Sequence, residues 1–372
     1  MNTFKIDHKR WKTPTLYRYS DNEECNTYIE KIKEGLFNYD KMDVTPKIKI
    51  TKNAVFSYSY SQPPRKPQEL EFYNQTNKQI KKNLDGDYAI IQNYWMGHYA
   101  HNISDNLGRF EYIRQALDSK IKFLLTEFVP GSHKTTLEQL NSLHPFYKNN
   151  VMFLHPKDII KVKGNLLQLE YSENWFPECK KYCRYIVNGL REQVDTTNDK
   201  HAHIIFCPRI SHLAKNGRCN TNEDIVAIEK MLKNIEKQHP HINISIFRHK
   251  DDFGKQMSTE EQKSFFKSAT MIIGIHGSAL SNIVWADRIV DHDSPPLQVI
   301  EFVGNTTWRN SKFPNLTPWQ QGNDAGYWNQ FGNHYNVEWK HIFFTSTSNN
   351  IKDFKFVKIP LDLLEIAIKD SI

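Results

Sequence analysis

The segment MIIGIHGSALSN, at positions 271–282, constrains the fold of this chain more than any other stretch. The apolar run from Thr270 to Gly274 predicts a buried strand, because it is too short for a helix and rich in β-branched residues. A Gly/Ser turn follows, and Ser278 is a residue type that often caps a helix N-terminus, so we predict a helix over residues 279–285. The segment therefore predicts a strand that leads through a tight turn into a helix.

The turn in this segment has the composition of an anion-binding site. Free backbone N–H groups and the positive end of the helix dipole would lie at the carboxyl end of the strand, where they suit a phosphate or pyrophosphate. Gly277 would let the backbone approach such a ligand, and His276 and Ser278 could add side-chain hydrogen bonds. The alternative is an ordinary turn in which His276 is a structural histidine, and the local pattern favours neither interpretation.

The same residues resemble a known signature. The run HGSALSN, preceded by an apolar strand and by the pair Glu261-Gln262, is similar to the signature of glycosyltransferase family 61. That family includes EGF-domain O-linked N-acetylglucosamine transferases, the protein O-mannose N-acetylglucosaminyltransferase, and plant xylosyl- and arabinosyltransferases. The resemblance runs from about Tyr94 to Phe344. It implies that the donor is bound by residues of the signature, namely His276, Gly277, Ser278 and Asn282.

A helix predicted over His98–Leu117 carries a second group of candidate residues. One side is mostly apolar at helical spacing and includes Ile103, Leu107, Phe110, Arg114 and Leu117. The opposite side collects His98, His101, Asp105, Arg109 and Tyr112. A polar side of this kind usually faces solvent. His101 and Asp105, however, lie four residues apart, which on a helix is close enough for a hydrogen bond.

The His-x-x-x-Asp pair formed by His101 and Asp105 also resembles the N-terminal motif of family 61, where it follows a short strand as it does here. Sugar transfer by direct displacement needs a base that takes the proton of the acceptor hydroxyl. The resemblance therefore makes Asp105 the candidate catalytic base, oriented by His101, although the two residues could exchange roles.

Two arginines follow the strand predicted at His203–Cys207. Arg209 and Arg218 lie on a polar loop, and Asn222 is expected to cap the helix after it. A doubly wound sheet binds ligands at the carboxyl ends of its strands, and guanidinium groups match phosphate oxygens well. The set Arg…Arg…Asn-Glu resembles a segment of family 61, which implies donor binding. The alternative is that both arginines are solvated loop residues.

The strand predicted at Leu297–Val303 contains the last candidate, Glu301. It resembles the glutamate that closes the corresponding strand in family 61, and an acidic residue at such an edge can hold ribose hydroxyls. The alternative is an exposed glutamate near a strand end. Residues 304–332 then form a long loop rich in tryptophan and tyrosine, whose rings we expect to stack on a sugar of the acceptor or the donor.

Strand and helix patterns alternate along most of the chain, which predicts parallel sheets covered by helices. With the resemblance, this gives an α/β fold of GT-B-like architecture, in which two Rossmann-type domains face each other across a cleft. We predict an irregular, β-containing N-terminal extension at 1–80 that packs on the first domain, an acceptor-side domain at 81–197 and a nucleotide-sugar-binding domain at 198–372. The final helix, predicted at Ile359–Ile368, could cross back onto the first domain.

Composition excludes several other classes of protein. The chain has 372 residues, enough for two domains, and its 13% of aromatic residues argues against disorder. The formal charge of +7 suits an anionic sugar nucleotide, but the basic residues are spread evenly without a base-stacking motif, which argues against nucleic acid. No segment approaches the ~20 apolar residues of a membrane span. The five cysteines are an odd number without zinc-like pairing, so we predict free thiols.

The sequence thus predicts an inverting glycosyltransferase that moves a sugar such as N-acetylglucosamine or xylose from a UDP-linked donor to a glycan or glycoprotein. No Asp-x-Asp pair lies at a strand end, so positive side chains rather than a metal would meet the charge of the leaving diphosphate. The rival is a catalytically inactive glycan- or nucleotide-binding protein of the same fold. We expect a cytosolic protein if the sequence is complete, as for a virus that replicates in the cytoplasm, and a secretory-lumen protein if an N-terminal anchor has been removed.

Overall fold

The structure is a computed structural model that describes residues 15–17, 48–59, 70–74, 79–91, 99–116, 120–126, 131–169, 175–193, 201–209, 221–249, 255–275, 277–291, 293–304, 335–344 and 359–372. The chain divides into two compact units. The N-terminal unit comprises Met42–Gln193 and Ser258–Glu260, and the C-terminal unit comprises Met1–Lys41, Val194–Met257 and Glu261–Ile372.

The first strand, β1 (Thr15–Tyr17), pairs in parallel with a strand near the end of the chain and belongs to the C-terminal unit. The expectation that residues 1–80 pack together on the first domain therefore does not hold for this strand. Its partner strand offers unpaired backbone N–H and C=O groups at the edge of a sheet. The local sequence pattern does not reveal a pairing between strands so far apart in the chain.

The N-terminal unit begins with strands and then alternates strands with helices. Its elements are β2 (Ile48–Lys52), β3 (Val55–Tyr58), β4 (Leu70–Phe72), β5 (Lys82–Leu84), β6 (Tyr88–Ile91), α1 (Tyr99–His101), a π-helical turn (Asn102–Leu107), α2 (Gly108–Ala116), β7 (Lys122–Leu125), α3 (Ser132–Leu143), α4 (Tyr147–Asn150), β8 (Val151–Phe153), β9 (Ile160–Val162), β10 (Asn165–Leu169) and α5 (Trp175–Arg191).

Two sheets organise this unit. The five-stranded sheet has the order β2-β10-β6-β7-β8, with β2 antiparallel to β10 and the remaining pairs parallel. A smaller sheet has the order β4-β3-β9-β5. All four residues of β6 are buried, as expected of a parallel strand with both faces covered. The prediction of a mixed α/β fold with parallel sheets is confirmed here.

Helices α2 and α5 approach each other closely because Gly108 lies at their crossing. A Cβ atom on Gly108 would lie 2.5 Å from the backbone carbonyl oxygen of Tyr182. One turn further along α2, the carboxylate of Glu111 is wholly buried and accepts hydrogen bonds from Arg114, Gln115 and Tyr147. The buried carboxylate is therefore paired with a cation and fully hydrogen-bonded, the condition under which a buried charge is tolerated.

The C-terminal unit has the regular alternation of a doubly wound fold. Its further elements are β11 (Ala202–Cys207), α6 (Asn222–Gln238), β12 (Ile242–Ile246), α7 (Thr259–Phe266), β13 (Met271–Ile275), 3₁₀ helices at Ser278–Trp285 and Asp287–Ile289, β14 (Leu297–Gly304), β15 (Val337–Phe344) and α8 (Leu361–Lys369). The first residues of α7 group with the N-terminal unit. The strand order is β1-β15-β14-β13-β11-β12, and every pair is parallel.

The core of this unit lies between the sheet and its helices. The apolar stripe predicted on α6 is confirmed, with Ile225, Ile228, Leu232 and Ile235 buried. The predicted cap is wrong by one residue: the N-cap is Thr221, whose side chain accepts a hydrogen bond of 2.9 Å from the backbone of Asp224. Both Thr221 and Asn222 are good capping residues, so the sequence did not decide between them.

The final helix, α8, packs into the core of the C-terminal unit. Its buried residues are Leu363, Leu364, Ala367 and Ile368. Lys340 on β15 is buried and donates a hydrogen bond of 3.3 Å to the carbonyl oxygen of Ala367, near the negative end of the helix dipole. The helix therefore serves its own unit, which differs from the expectation that it crosses back onto the first domain. Among the helices described above, none is long and apolar enough to cross a membrane.

Candidate functional site

The strand order of the C-terminal unit marks one position on the sheet. From β11 the chain moves outward to β12 and then returns to the other side of β11 to form β13. The order of strands therefore reverses between β11 and β13, which are direct neighbours with Cys207 opposite Gly274. Doubly wound sheets bind ligands outside the carboxyl ends of the strands at such a reversal. We refer to the residues that follow β11, β12 and β13 as the switch-point edge.

Two of the predicted donor-binding residues meet at the switch-point edge. Arg209 follows β11 and Gly277 follows β13. A Cβ atom on Gly277 would lie 2.6 Å from Nη1 of Arg209 and 3.2 Å from its Cζ, so the guanidinium group lies directly against this glycine. Gly277 has a φ of 170°, an extended conformation open to any residue, so the glycine is needed for space rather than for backbone freedom. The sequence predicted both residues but not their contact.

The turn around Gly277 differs from the prediction in one respect. The helix that follows is a 3₁₀ helix that begins at Ser278, with Gly277 in the N-cap position and no side-chain cap. The prediction of Ser278 as N-cap is therefore wrong. The backbone N–H of Leu280 donates to the carbonyl oxygen of Gly277 at 3.0 Å, so the extended glycine itself closes the first turn. His276, Arg218 and the side chain of Ser278 lie outside the described residues.

Asn282, another predicted donor-binding residue, is wholly buried. Its side chain donates a hydrogen bond of 3.1 Å to Gln262 on α7, and Gln262 in turn donates one of 3.1 Å to the backbone carbonyl of Met257. Asn282 thus fixes the turn after β13 to the segment that precedes it. Gln262 therefore has a structural role in addition to the resemblance of the pair Glu261-Gln262 to family 61.

Glu301 lies within β14, opposite Gly274 on one side and His341 on the other. Its carboxylate and the imidazole of His341 are both wholly buried, with 3.7 Å between Oε2 and Nε2. The alternative that Glu301 is an exposed strand-end residue is therefore wrong. The cross-strand partner His341 was missed because it lies 40 residues beyond Glu301, after the aromatic loop. Residues 305–334, which include nearly all of that loop, lie outside the described residues.

His249 is a further residue of this edge that the sequence did not predict. This residue follows β12 at the switch-point edge and adopts a left-handed backbone conformation with a φ of 60°. Burial, and to a smaller extent the positive charge of Arg209, lowers the pKa of His249 from 6.5 to about 4. In sequence the residue belongs to the charged run Arg-His-Lys, which is typical of a surface loop. The signal that could have found it is its position after a parallel strand.

In the N-terminal unit, the predicted catalytic pair lies on an irregular helix. His101 is the last residue of α1, and Asp105 lies inside the π-helical turn. Their side chains lie outside the described residues, so the hydrogen bond expected between them stays a prediction. π-Helical turns are rare and occur frequently at functional sites.

The π-helical turn is held by a chain of buried amides. Asn102 donates a hydrogen bond to Gln139 on α3, Asn106 donates one of 3.1 Å to Asn102, and Gln139 donates one of 3.0 Å to the backbone carbonyl of Tyr99. All three amide side chains are buried. Because Asn102 and Asn106 directly follow His101 and Asp105 in sequence, the amide chain fixes the backbone that carries both candidates.

The alternative that the polar side of this helix is simply solvated is wrong for Arg109. Arg109 is buried and its guanidinium donates to the backbone carbonyl of Leu169 at 3.4 Å. The apolar side is confirmed at Ile103, Leu107 and Phe110, which are all buried. The physical reason is the π-helical turn, whose i→i+5 bonding changes the angular spacing of residues. His98 and Leu117 lie outside the described residues.

The family model for glycosyltransferase 61 matches residues 99–290, which is more than half of the chain. The chain belongs to glycosyltransferase family 61. The matched segment begins at α1 and ends just after the second 3₁₀ helix, so it includes the amide-bound turn and the whole switch-point edge, whereas Glu301 lies beyond it. As a member of this family, the chain is a glycosyltransferase, an enzyme that takes an activated sugar as donor and a glycan as acceptor.

Among solved structures, this glycosyltransferase is similar to the E. coli heptosyltransferase WaaC with ADP-2-deoxy-2-fluoro heptose, with 9% sequence identity, 77% of this chain and 100% of that chain covered, and a TM-score of 0.33. At this similarity, residue roles do not transfer from one chain to the other. No curated protein sequence gave a significant match.

Within the described residues there is no group of three or more His, Cys, Asp or Glu side chains that could hold a metal ion.

Proposed function

We propose that this family 61 enzyme is an inverting glycosyltransferase of GT-B-like architecture that transfers a sugar such as N-acetylglucosamine or xylose from a UDP-linked donor to a glycan or glycoprotein. One observation carries the proposal: the guanidinium of Arg209 lies against Gly277 at the point where the strand order of a parallel sheet reverses. The rival interpretation, a catalytically inactive binding protein, shares the fold and differs in chemistry.

The donor side of the proposal rests on charge. A leaving UDP develops negative charge on its diphosphate, and fixed positive groups placed beside it stabilise the transition state. Arg209 supplies a guanidinium, which can pair with two phosphate oxygens at once, and the turn at Gly277 and Ser278 supplies backbone N–H groups. His276, Arg218, Asn282 and Glu301 complete the proposed donor site. These groups meet the charge without a metal ion.

The acceptor side of the proposal rests on the π-helical turn. Asp105 takes the proton of the acceptor hydroxyl while the hydroxyl oxygen attacks the anomeric carbon from the face opposite the diphosphate. The new carbon–oxygen bond forms as the bond to the diphosphate oxygen breaks, so the configuration inverts and the proton remains on Asp105. His101 orients Asp105, or exchanges roles with it. The buried amide chain supports this assignment because it holds the backbone of both residues in one arrangement.

The proposal is tested first by donor binding. A ligand that binds only the folded protein raises its melting temperature, so we expect UDP to stabilise the wild type. Loss of a charge-assisted phosphate contact costs roughly 1.5–3 kcal/mol, so Arg209→Ala should weaken UDP binding in calorimetry about 10- to 100-fold. Arg248→Ala is the matched control, because Arg248 also follows a strand of the same sheet, β12, but forms an exposed ion pair with Glu229.

Two outcomes would change the conclusion. An unchanged melting temperature with millimolar UDP, GDP and CMP alike would contradict a nucleotide-sugar enzyme. UDP binding without hydrolysis or transfer from any UDP-sugar would favour the inactive binding protein instead.

A further inference from the structure

His249 occupies a strained position at the switch-point edge. Its φ of 60° lies in the left-handed region, which is uncommon for residues other than glycine and is enriched at functional sites. The strand before it, β12, is joined to β11 through the backbone bond of 2.8 Å from Phe247 to Phe206. Because β11 and β12 are parallel neighbours, His249 and Arg209 leave the sheet at the same edge.

A hydrogen-bond relay fixes His249 to the signature turn. The backbone N–H of Met257 donates to the carbonyl oxygen of His249 at 3.2 Å, and the carbonyl oxygen of Met257 accepts from Gln262. Gln262 also accepts from Asn282 at the end of the signature. The turns after β12 and β13 are thus connected through one glutamine side chain, so the position of His249 is set together with that of Gly277.

The ring of His249 is half-buried and is packed on one side by Phe247, with 4.5 Å between ring centroids. Within the described residues, no hydrogen bond to its ring nitrogens occurs. Burial and the charge of Arg209 lower its pKa to about 4, so the imidazole is neutral near pH 7. A neutral imidazole offers one N–H donor and one nitrogen acceptor, the pattern that matches hydroxyl and amide groups.

We propose that His249 is a donor-binding residue that hydrogen-bonds an uncharged part of the nucleotide-sugar, beside the diphosphate held by Arg209. This inference rests on the proposed function of the switch-point edge. The two neighbouring side chains would bind different parts of the donor. Arg209 would bind the charged phosphates, and the neutral His249 would hydrogen-bond hydroxyl or amide groups of the nucleoside or of the sugar. The relay connects the left-handed backbone of His249 to the turn after β13, so the residue that carries the ring is held at the switch-point edge.

The left-handed backbone permits a sharp test. His249→Gly removes the imidazole and also relieves the backbone strain, so the melting temperature without ligand should stay the same or rise. Calorimetric affinity for UDP or for a UDP-sugar should fall roughly three- to tenfold, the effect of one lost neutral hydrogen bond. His249→Asn, a residue that tolerates the same conformation and keeps both hydrogen-bonding functions, should retain part of the affinity. Lys157→Gly is the matched control, since Lys157 is exposed with a φ of 66° in the N-terminal unit.

Comparing ligands and salt concentrations identifies the contact. An equal loss for UDP and UDP-N-acetylglucosamine would assign the nucleoside, and a loss only for the UDP-sugar would assign the sugar. The loss in His249→Gly should not depend on salt, whereas that in Arg209→Ala should shrink as salt rises. Unchanged affinity in His249→Gly, or a lower melting temperature without ligand, would overturn the inference. Failure of the wild type to bind UDP would overturn the proposed function instead.

Discussion

The switch-point edge of the C-terminal unit and the π-helical turn of the N-terminal unit both concentrate polar side chains, but they hold them differently. At the edge, the charged group of Arg209 lies against a glycine at a turn. At the π-helical turn, the buried side chains are neutral amides that bond to one another and to the backbone. The first arrangement offers charge to a ligand, whereas the second fixes a backbone. In the proposed function, binding and positioning are therefore separate tasks.

Gly277 at the switch-point edge and Gly108 beside the π-helical turn also differ in what surrounds them. A Cβ atom on Gly277 would meet the end of the Arg209 side chain, which can rotate away. A Cβ atom on Gly108 would meet the backbone carbonyl of Tyr182, which cannot. The glycine of the edge thus leaves space for the guanidinium of Arg209, and the glycine beside the π-helical turn permits the close packing of two helices.

The largest effect should come from the proposed base. Asp105→Asn keeps the shape of the side chain but removes the proton acceptor, so steady-state transfer should fall about 10²–10⁴-fold. UDP affinity should hardly change, because Asp105 is assigned to the acceptor. The control is Asp85→Asn, since Asp85 is a highly exposed carboxylate of the same unit that pairs with Lys163.

Two results would show that binding and positioning are not separate tasks. Near-normal transfer by the Asp105→Asn protein would remove Asp105 from catalysis. A joint loss of UDP affinity and turnover would place Asp105 in the donor site, and binding and positioning would no longer be separate.

The C-terminal sheet could be predicted well because each of its strands and helices has a recognisable pattern within its own residues. Strands β11 to β14 are runs rich in β-branched residues, and the stripe on α6 has a helical period. Arg209 and Gly277 could be identified because each follows a strand, and parallel strands end at the same edge. His249 satisfies the same criterion but was passed over because its neighbours are charged.

The N-terminal unit was harder to predict because its irregular feature depends on distant partners. The amides of Asn102 and Asn106 are joined to Gln139, more than 30 residues away, and Gly108 faces Tyr182. Nothing in the local pattern of residues 99–116 indicates a π-helical turn. Regular helical spacing therefore placed Arg109 on the polar side, opposite the apolar one. Tertiary contacts override local periodicity here.

The next largest effect should come from Gly108→Ala. Alanine favours a helix over glycine by roughly 0.5–1 kcal/mol. Overpacking costs typically 1–3 kcal/mol and here meets rigid backbone, so the clash should win and the free energy of unfolding should fall. Denaturant unfolding with an unchanged m-value measures this directly. A Gly108→Ala protein as stable as the wild type would show that α2 and α5 can separate at no cost.

The smallest effect on stability, and a selective one on binding, should come from Gly277→Ala. The methyl group would displace the guanidinium of Arg209 from the turn, so UDP affinity should fall roughly tenfold, about 1.4 kcal/mol. The melting temperature should hardly change, since the backbone of Gly277 is extended and the displaced group is flexible.

The decisive control is a double-mutant cycle. In an Arg209→Ala background the guanidinium is absent, so Gly277→Ala should cost no further affinity. Fully additive losses would mean that Gly277 contacts the ligand through its own backbone, as the sequence alone suggested. A fall in stability as large as that of Gly108→Ala would instead make both glycines packing residues and remove the difference between the two regions.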